Sequence, residues 1–103
     1  MTQAAARGSL DDRIETREEV YHRTRATLAN RPCPVLVVNI SPSGLMLRSE
    51  AVVAVGDHIQ VALPTAGEVA AAVRWALGGR IGCQFDAPIP ASRYPAVLAA
   101  LAR

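Results

Sequence analysis

Lysine is absent from this 103-residue chain, and all eleven of its basic side chains are arginine. A GC-rich genome is enough to cause such usage, but the usage has a chemical consequence. Every cation is a planar fork suited to two-point contact with a phosphate or a guanine edge. Nine acidic residues oppose the arginines, for a net charge of +2, too mild a balance for gripping duplex DNA by charge alone. Aromatic residues are scarce as well, with only Tyr21, Trp75, Phe85 and Tyr94 present. A binder of single-stranded nucleic acid stacks bases on such rings. Nucleic acid is therefore not expected as a partner.

Cysteine is confined to Cys33 and Cys83, with no C-x-x-C pair, and histidine to His22 and His58. A zinc site has little to build on, and no metal is expected. The cysteines read as two small buried hydrophobes in a reducing compartment. No nucleophile with a neighbouring base can be named, so an enzyme is not expected. No apolar run approaches the roughly 20 residues of a membrane helix, and the opening MTQAAARGSLDDR lacks the apolar stretch of a secretory signal. The expectation is a soluble, cytoplasmic protein with no membrane span.

What is present suffices for one packed domain. Half of the residues are hydrophobic and 19% are charged, which permits a core and excludes wholesale disorder. Residues 1–12 are small and polar, and read as a flexible lead-in to a domain over 13–103. Residues 13–19, RIETREE, are dense in charge and fit either one helical turn or a loop.

From Val20 the pattern is that of strands. Val20 to Leu28 is rich in β-formers, Asn30-Arg31-Pro32 interrupts it, and Val35 to Ile40 is a run dominated by β-branched residues. Ser41-Pro42-Ser43-Gly44 must turn, and Leu45 to Arg48 resumes an extended course. Ile59, Val61 and Leu63 alternate on one face of the next segment. Glu68 to Leu77 reads as a strand despite its alanines, because Gly78-Gly79 marks a two-residue hairpin with Arg80 to Phe85 as the return arm. In the tail, Val97, Leu98 and Leu101 recur at helical spacing, which predicts a helix over about 91–102 with Ser92 as its N-cap. The sum is five or six short strands, about 18–86, and then one helix. Strands this short and closely spaced suggest a small closed barrel or a sandwich, and a barrel hides its edges.

Two pieces carry chemistry. Arg13 and Arg17 form an R-x-x-x-R spacing just before the first strand. Asn39, Ser41 and Gly44 form an N-x-S-x-x-G spacing at the turn between the second and third strands. Each is weak alone, and a solvated charged segment and an ordinary hairpin turn are the plain readings of the two. Their order and setting make them specific. With them, the chain resembles the PilZ domain family, bacterial receptors for cyclic di-GMP. The resemblance runs over about residues 13–86 and takes in Ala72-Val73-Arg74-Trp75 and Arg80 to Phe85, similar to the family's closing hairpin. It implies an all-β fold, a six-stranded antiparallel barrel with a C-terminal helix, and a ligand held between the arginine segment and the barrel face. It also implies that Arg13, Arg17, Asn39, Ser41 and Gly44 contact cyclic di-GMP, with no other cofactor.

The chemistry of these residues fits such a ligand. Cyclic di-GMP is a dianion with two guanines, and an Arg fork matches either a phosphate or the O6/N7 edge of guanine. Asn39 offers a donor and an acceptor, Ser41 a hydroxyl, and Gly44 a positive φ angle or close access to the main chain. Nothing is arranged to attack a bond. The function expected is a receptor that relays the messenger's level to an unknown protein partner. Asp11, Asp12, Glu15, Glu18 and Glu19 surround the arginines and leave an alternative open, an interaction module of the same fold that binds no cyclic di-GMP. Trp75 reads as a core or rim hydrophobe or as a stacking surface, and Arg23, Arg25 and Arg74 as solvated strand positions.

Overall fold

A computed structural model of the chain describes residues 16–102. Six antiparallel strands close into a barrel. They are β1 (Glu18–Leu28), β2 (Arg31–Ser41), β3 (Gly44–Arg48), β4 (His58–Leu63), β5 (Gly67–Leu77) and β6 (Arg80–Phe85). Around the barrel the order is β1-β2-β3-β6-β5-β4, with β4 returning to β1. The six-stranded barrel that the resemblance implies, one of the two architectures left open by the strand pattern, is what the chain forms. The lead-in over 1–12 and the Arg13 end of the charged segment lie outside the described residues.

The alternation read from the sequence is what fills the barrel. Ile59, Val61 and Leu63 of β4 point inward, as do Ile81, Cys83 and Phe85 of β6, and they share one core with Val37, Ile40, Leu45, Leu47 and Val73. The glycine hairpin is as expected: Gly78 and Gly79 have φ of 60° and 82°, the positive pair that a type I′ turn between twisted strands requires. The β1–β2 connection uses the same geometry at Ala29 and Asn30, with φ of 53° and 63°, so Arg31 and Pro32 belong to β2 rather than to a loop. Pro32 and Pro34 are both exposed and cost the ladder little.

The tail departs from expectation in detail. One helix, α1, covers Tyr94–Leu101, shorter than the predicted 91–102. Ser92 does not cap it. Arg93 holds the cap position without a side-chain bond, and the Pro90 carbonyl accepts from the backbone N–H groups of Arg93 and Tyr94 at 2.8 and 2.9 Å. That tight turn over 91–93 satisfies the first donors, so a serine oxygen is not needed. Val97 and Leu101 join the barrel core, and the Tyr94 hydroxyl donates to the carbonyl of Ile40 at 3.2 Å. The helix is thereby fastened to the end of β2, one residue before the Ser41 turn. No helix among the described residues is long and apolar enough to cross a membrane.

Candidate functional site

Three strands slip register by one residue where they approach the β2–β3 turn. The irregularities fall between Glu19 and His22 in β1, between Val37 and Asn39 in β2, and between Val73 and Trp75 in β5. A bulge bends its strand and re-aims the neighbouring side chains. In β2 the extra residue is Val38, after which Asn39 pairs with Met46 on one side and Glu19 on the other. In β5 the extra residue is Arg74, and Trp75 then stands opposite Gly82. In β1 the irregular stretch includes Tyr21, whose φ of 50° is unusual for an aromatic residue.

These bends surround a cavity of about 250 Å³ on the outer side of the barrel, beside the β2–β3 turn. Arg17, Arg74 and the Trp75 ring form its walls, and Ser41, Gly44 and Gln84 line it from the turn and β6. Of the residues predicted for the site, Arg17, Ser41 and Gly44 therefore meet at one place. Asn39 sits at the edge, where its Oδ1 accepts from Arg17 Nη1 at 3.4 Å. Arg13 lies outside the described residues.

The turn itself is tightly held. Phe85 N–H donates to the Ser43 carbonyl at 2.9 Å and Ile89 N–H to the Pro42 carbonyl at 2.8 Å. Ser41 is buried, and its hydroxyl donates to the Gly44 carbonyl at a long 3.4 Å. Gly44 differs from expectation. It has no positive φ; what requires glycine is that a Cβ there would collide with the backbone carbonyl of Cys83 on β6. The residue lets β3 and β6 approach closely at the cavity's lining.

Arg74, read as a solvated strand position, and Trp75, read as either a rim hydrophobe or a stacking surface, both line the cavity. Arg74 Nη1 donates to Gln84 Oε1 at 3.0 Å, which ties its exposed guanidinium to another residue of the cavity lining. Trp75 remains 39% exposed and lies flat over Gly82, where a Cβ would strike the indole. The pairing of a Trp with a Gly seven residues later was the available signal, but it means nothing until the Gly-Gly hairpin and the bulge set the two opposite each other. No carboxylate lines the cavity among the described residues, so its field is set by two cations. No cluster of potential metal ligands occurs among the described residues either.

Cys83 is among the lining residues and also belongs to the barrel core. Burial pushes its thiol up from 9.0 to about 11, so it stays neutral and a poor nucleophile at physiological pH. The fold holds the neutral form, while the unfolded chain ionises from pH 9 upward. Stability from this source is complete below pH 9 and falls as pH rises toward 11. The urea midpoint is expected to drop over that interval, and a Cys83→Ala variant, referred to its own neutral value, is expected to drop less. Equal decline in both proteins would refute the assignment.

No curated protein matches this chain. A family model described as the PilZ domain matches residues 11–101, from ahead of the arginine pair to the last residue of α1, and the chain belongs to that family.

Proposed function

We propose that this protein is a non-enzymatic receptor for cyclic di-GMP. PilZ domains are a family of cyclic di-GMP receptors. The observation in this chain that carries the reading is the convergence of the Arg17 and Arg74 guanidiniums and the Trp75 ring on one cavity beside the Asn39–Gly44 turn. A guanine presents a flat face to the indole, worth about 1–3 kcal/mol in stacking. Its O6/N7 edge and the phosphates suit the arginine forks. Asn39 holds Arg17 at the cavity's edge, and Ser41 and Gly44 shape the floor.

The cavity is open to solvent on one side, so a base seated against Trp75 leaves other parts of the ligand projecting from it. The rest of the ligand stands outside the barrel, where Arg13, four residues ahead of Arg17, is the group proposed to close over it. The output follows from the same geometry. Ligand contacts pin the Arg13–Arg17 segment against the barrel and present a new surface to a protein partner. The unit doing this is taken as a domain over 13–103, at work in the cytoplasm.

Isothermal titration of the full chain with cyclic di-GMP is the direct test. Saturable heat is expected, with GTP giving none at the same concentration. A flat titration together with no thermal shift at about 0.1 mM ligand would leave the interaction module without a nucleotide as the correct reading.

A further inference from the structure

Away from that cavity, a ladder of side chains passing through the middle of β2 crosses four strand pairings. Arg23 on β1 pairs with Leu36 on β2, Leu36 with Arg48 on β3, Arg48 with Arg80 on β6, and Arg80 with Leu77 on β5. Directly paired residues project from the same face of a sheet. All three arginines and Leu77 are exposed, and Leu36 is half-buried between its cationic neighbours. Neighbouring strands are about 4.8 Å apart, so the arginines form a cationic band running across the strands.

Arg48 and Arg80 are the telling pair. Like charges directly opposite each other weaken a sheet. Here no hydrogen bond or ion pair to a described residue offsets the repulsion. Two adjacent forks with free donors suit one carboxylate bridging both.

The band borders a groove of about 790 Å³ with Arg23 and Arg48 on its walls and Pro34, Leu36, Ala51 and Gly79 among its lining residues. Glu50 is its one acidic lining residue among those described. At its margin Leu77 is 78% exposed and Val52 94%. The chemistry selects the occupant. No aromatic ring lines the groove, so bases have nothing to stack on. A flat bilayer does not reach a concave floor. An extended protein segment with acidic and aliphatic side chains fills both requirements, cations for the carboxylates and apolar lining for the aliphatics.

We infer that the Arg23–Arg48–Arg80 band and its groove are a docking surface for an acidic, leucine-bearing segment of a partner protein. The surface is separate from the cavity at Ser41, and its use does not depend on a nucleotide.

The test uses the full chain and a fluorescent nine-residue peptide, Glu-Leu-Glu repeated three times, followed by anisotropy at low salt. Saturable binding below about 1 mM is expected, weakening as salt is raised, with no binding of the Lys-Leu-Lys counterpart. R48E and R80E are each expected to weaken binding about tenfold. R80E places opposite charges where like ones stood, so its Tm is expected at or above that of the parent. That measurement separates lost docking from lost folding. The proposal is overturned if the acidic peptide does not bind, or if R48E and R80E bind it as well as the parent does. It is equally overturned if oligothymidylate or phosphatidylglycerol vesicles bind more tightly than the peptide with the same dependence on Arg48 and Arg80.

Discussion

Arg17→Ala is expected to weaken cyclic di-GMP binding by about tenfold to a hundredfold while leaving the melting temperature where it was. The magnitude comes from hydrogen bonds to a charged partner at about 1.5–3 kcal/mol, with about 1.4 kcal/mol per decade of affinity. The unchanged stability comes from position. Arg17 precedes β1, its side chain is exposed, and its bond to Asn39 is long at 3.4 Å. Removing it deletes a ligand contact and almost no fold contact. Replacing Arg13 and Arg17 together is expected to leave no measurable binding. Titration calorimetry paired with a melting curve reads both quantities in the same samples. Undiminished affinity in Arg17→Ala would remove the arginine from the site. A large fall in Tm would instead mean that Arg17 is a structural residue.

The opposite profile is expected of Gly44→Ala, which strikes the fold first. The added Cβ meets the Cys83 carbonyl, a backbone atom that cannot turn aside. Gly44 pairs with Gln84 and Leu45 with Cys83, so the collision pushes β3 from β6 at the point where the barrel closes beside the cavity. Forced overpacking of this kind costs about 3 kcal/mol. In a domain of this size that lowers Tm by more than about 10 °C. Gly82→Ala makes an informative comparison. The atoms nearest its Cβ all belong to the Trp75 indole, a partly exposed side chain rather than backbone. Swinging the ring away relieves the clash, so the loss of stability is expected to be smaller while the cavity loses a wall. If Gly44→Ala melted no lower than Gly82→Ala, the close approach of β3 to β6 would not be what requires glycine at position 44.

The strands and their inward faces were legible because their evidence is local and periodic, while closure into a barrel rather than a sandwich came from the family resemblance. Inward residues at every second position of β4 and β6 fix which face is buried. Gly78-Gly79 fixes which two strands are adjacent and antiparallel, and with that the alanine-rich stretch before it has to be a strand. The helix limits were less legible. Ser92 has the chemistry of a cap, yet Pro90 had already supplied a carbonyl, and that competition is decided by backbone conformation rather than by residue type. The β1–β2 turn was misplaced for a similar reason. Nothing about Ala29 announces a positive φ, and only the pairing of β1 with β2 holds it there.

The candidate site divides along the same line. Arg17, Asn39, Ser41 and Gly44 were named from spacing, and they gather at the end of β2. Arg74 was read as a solvated strand position, and Trp75 was left between a rim hydrophobe and a stacking surface. Their place on the cavity depends on the extra residue in β5, and a one-residue slip reverses every subsequent side chain between the two faces of a sheet. The arginine ladder is invisible in the chain order for the same reason, since Arg23, Arg48 and Arg80 are brought into line only by the register of four strands. Residue types and their spacing by themselves determined an all-β chain, its inward faces and an arginine- and turn-borne chemistry suited to an anion. Tertiary structure alone decided which side chains share a surface, because strand register and bulges are set by long-range pairing and leave no local trace in the chain.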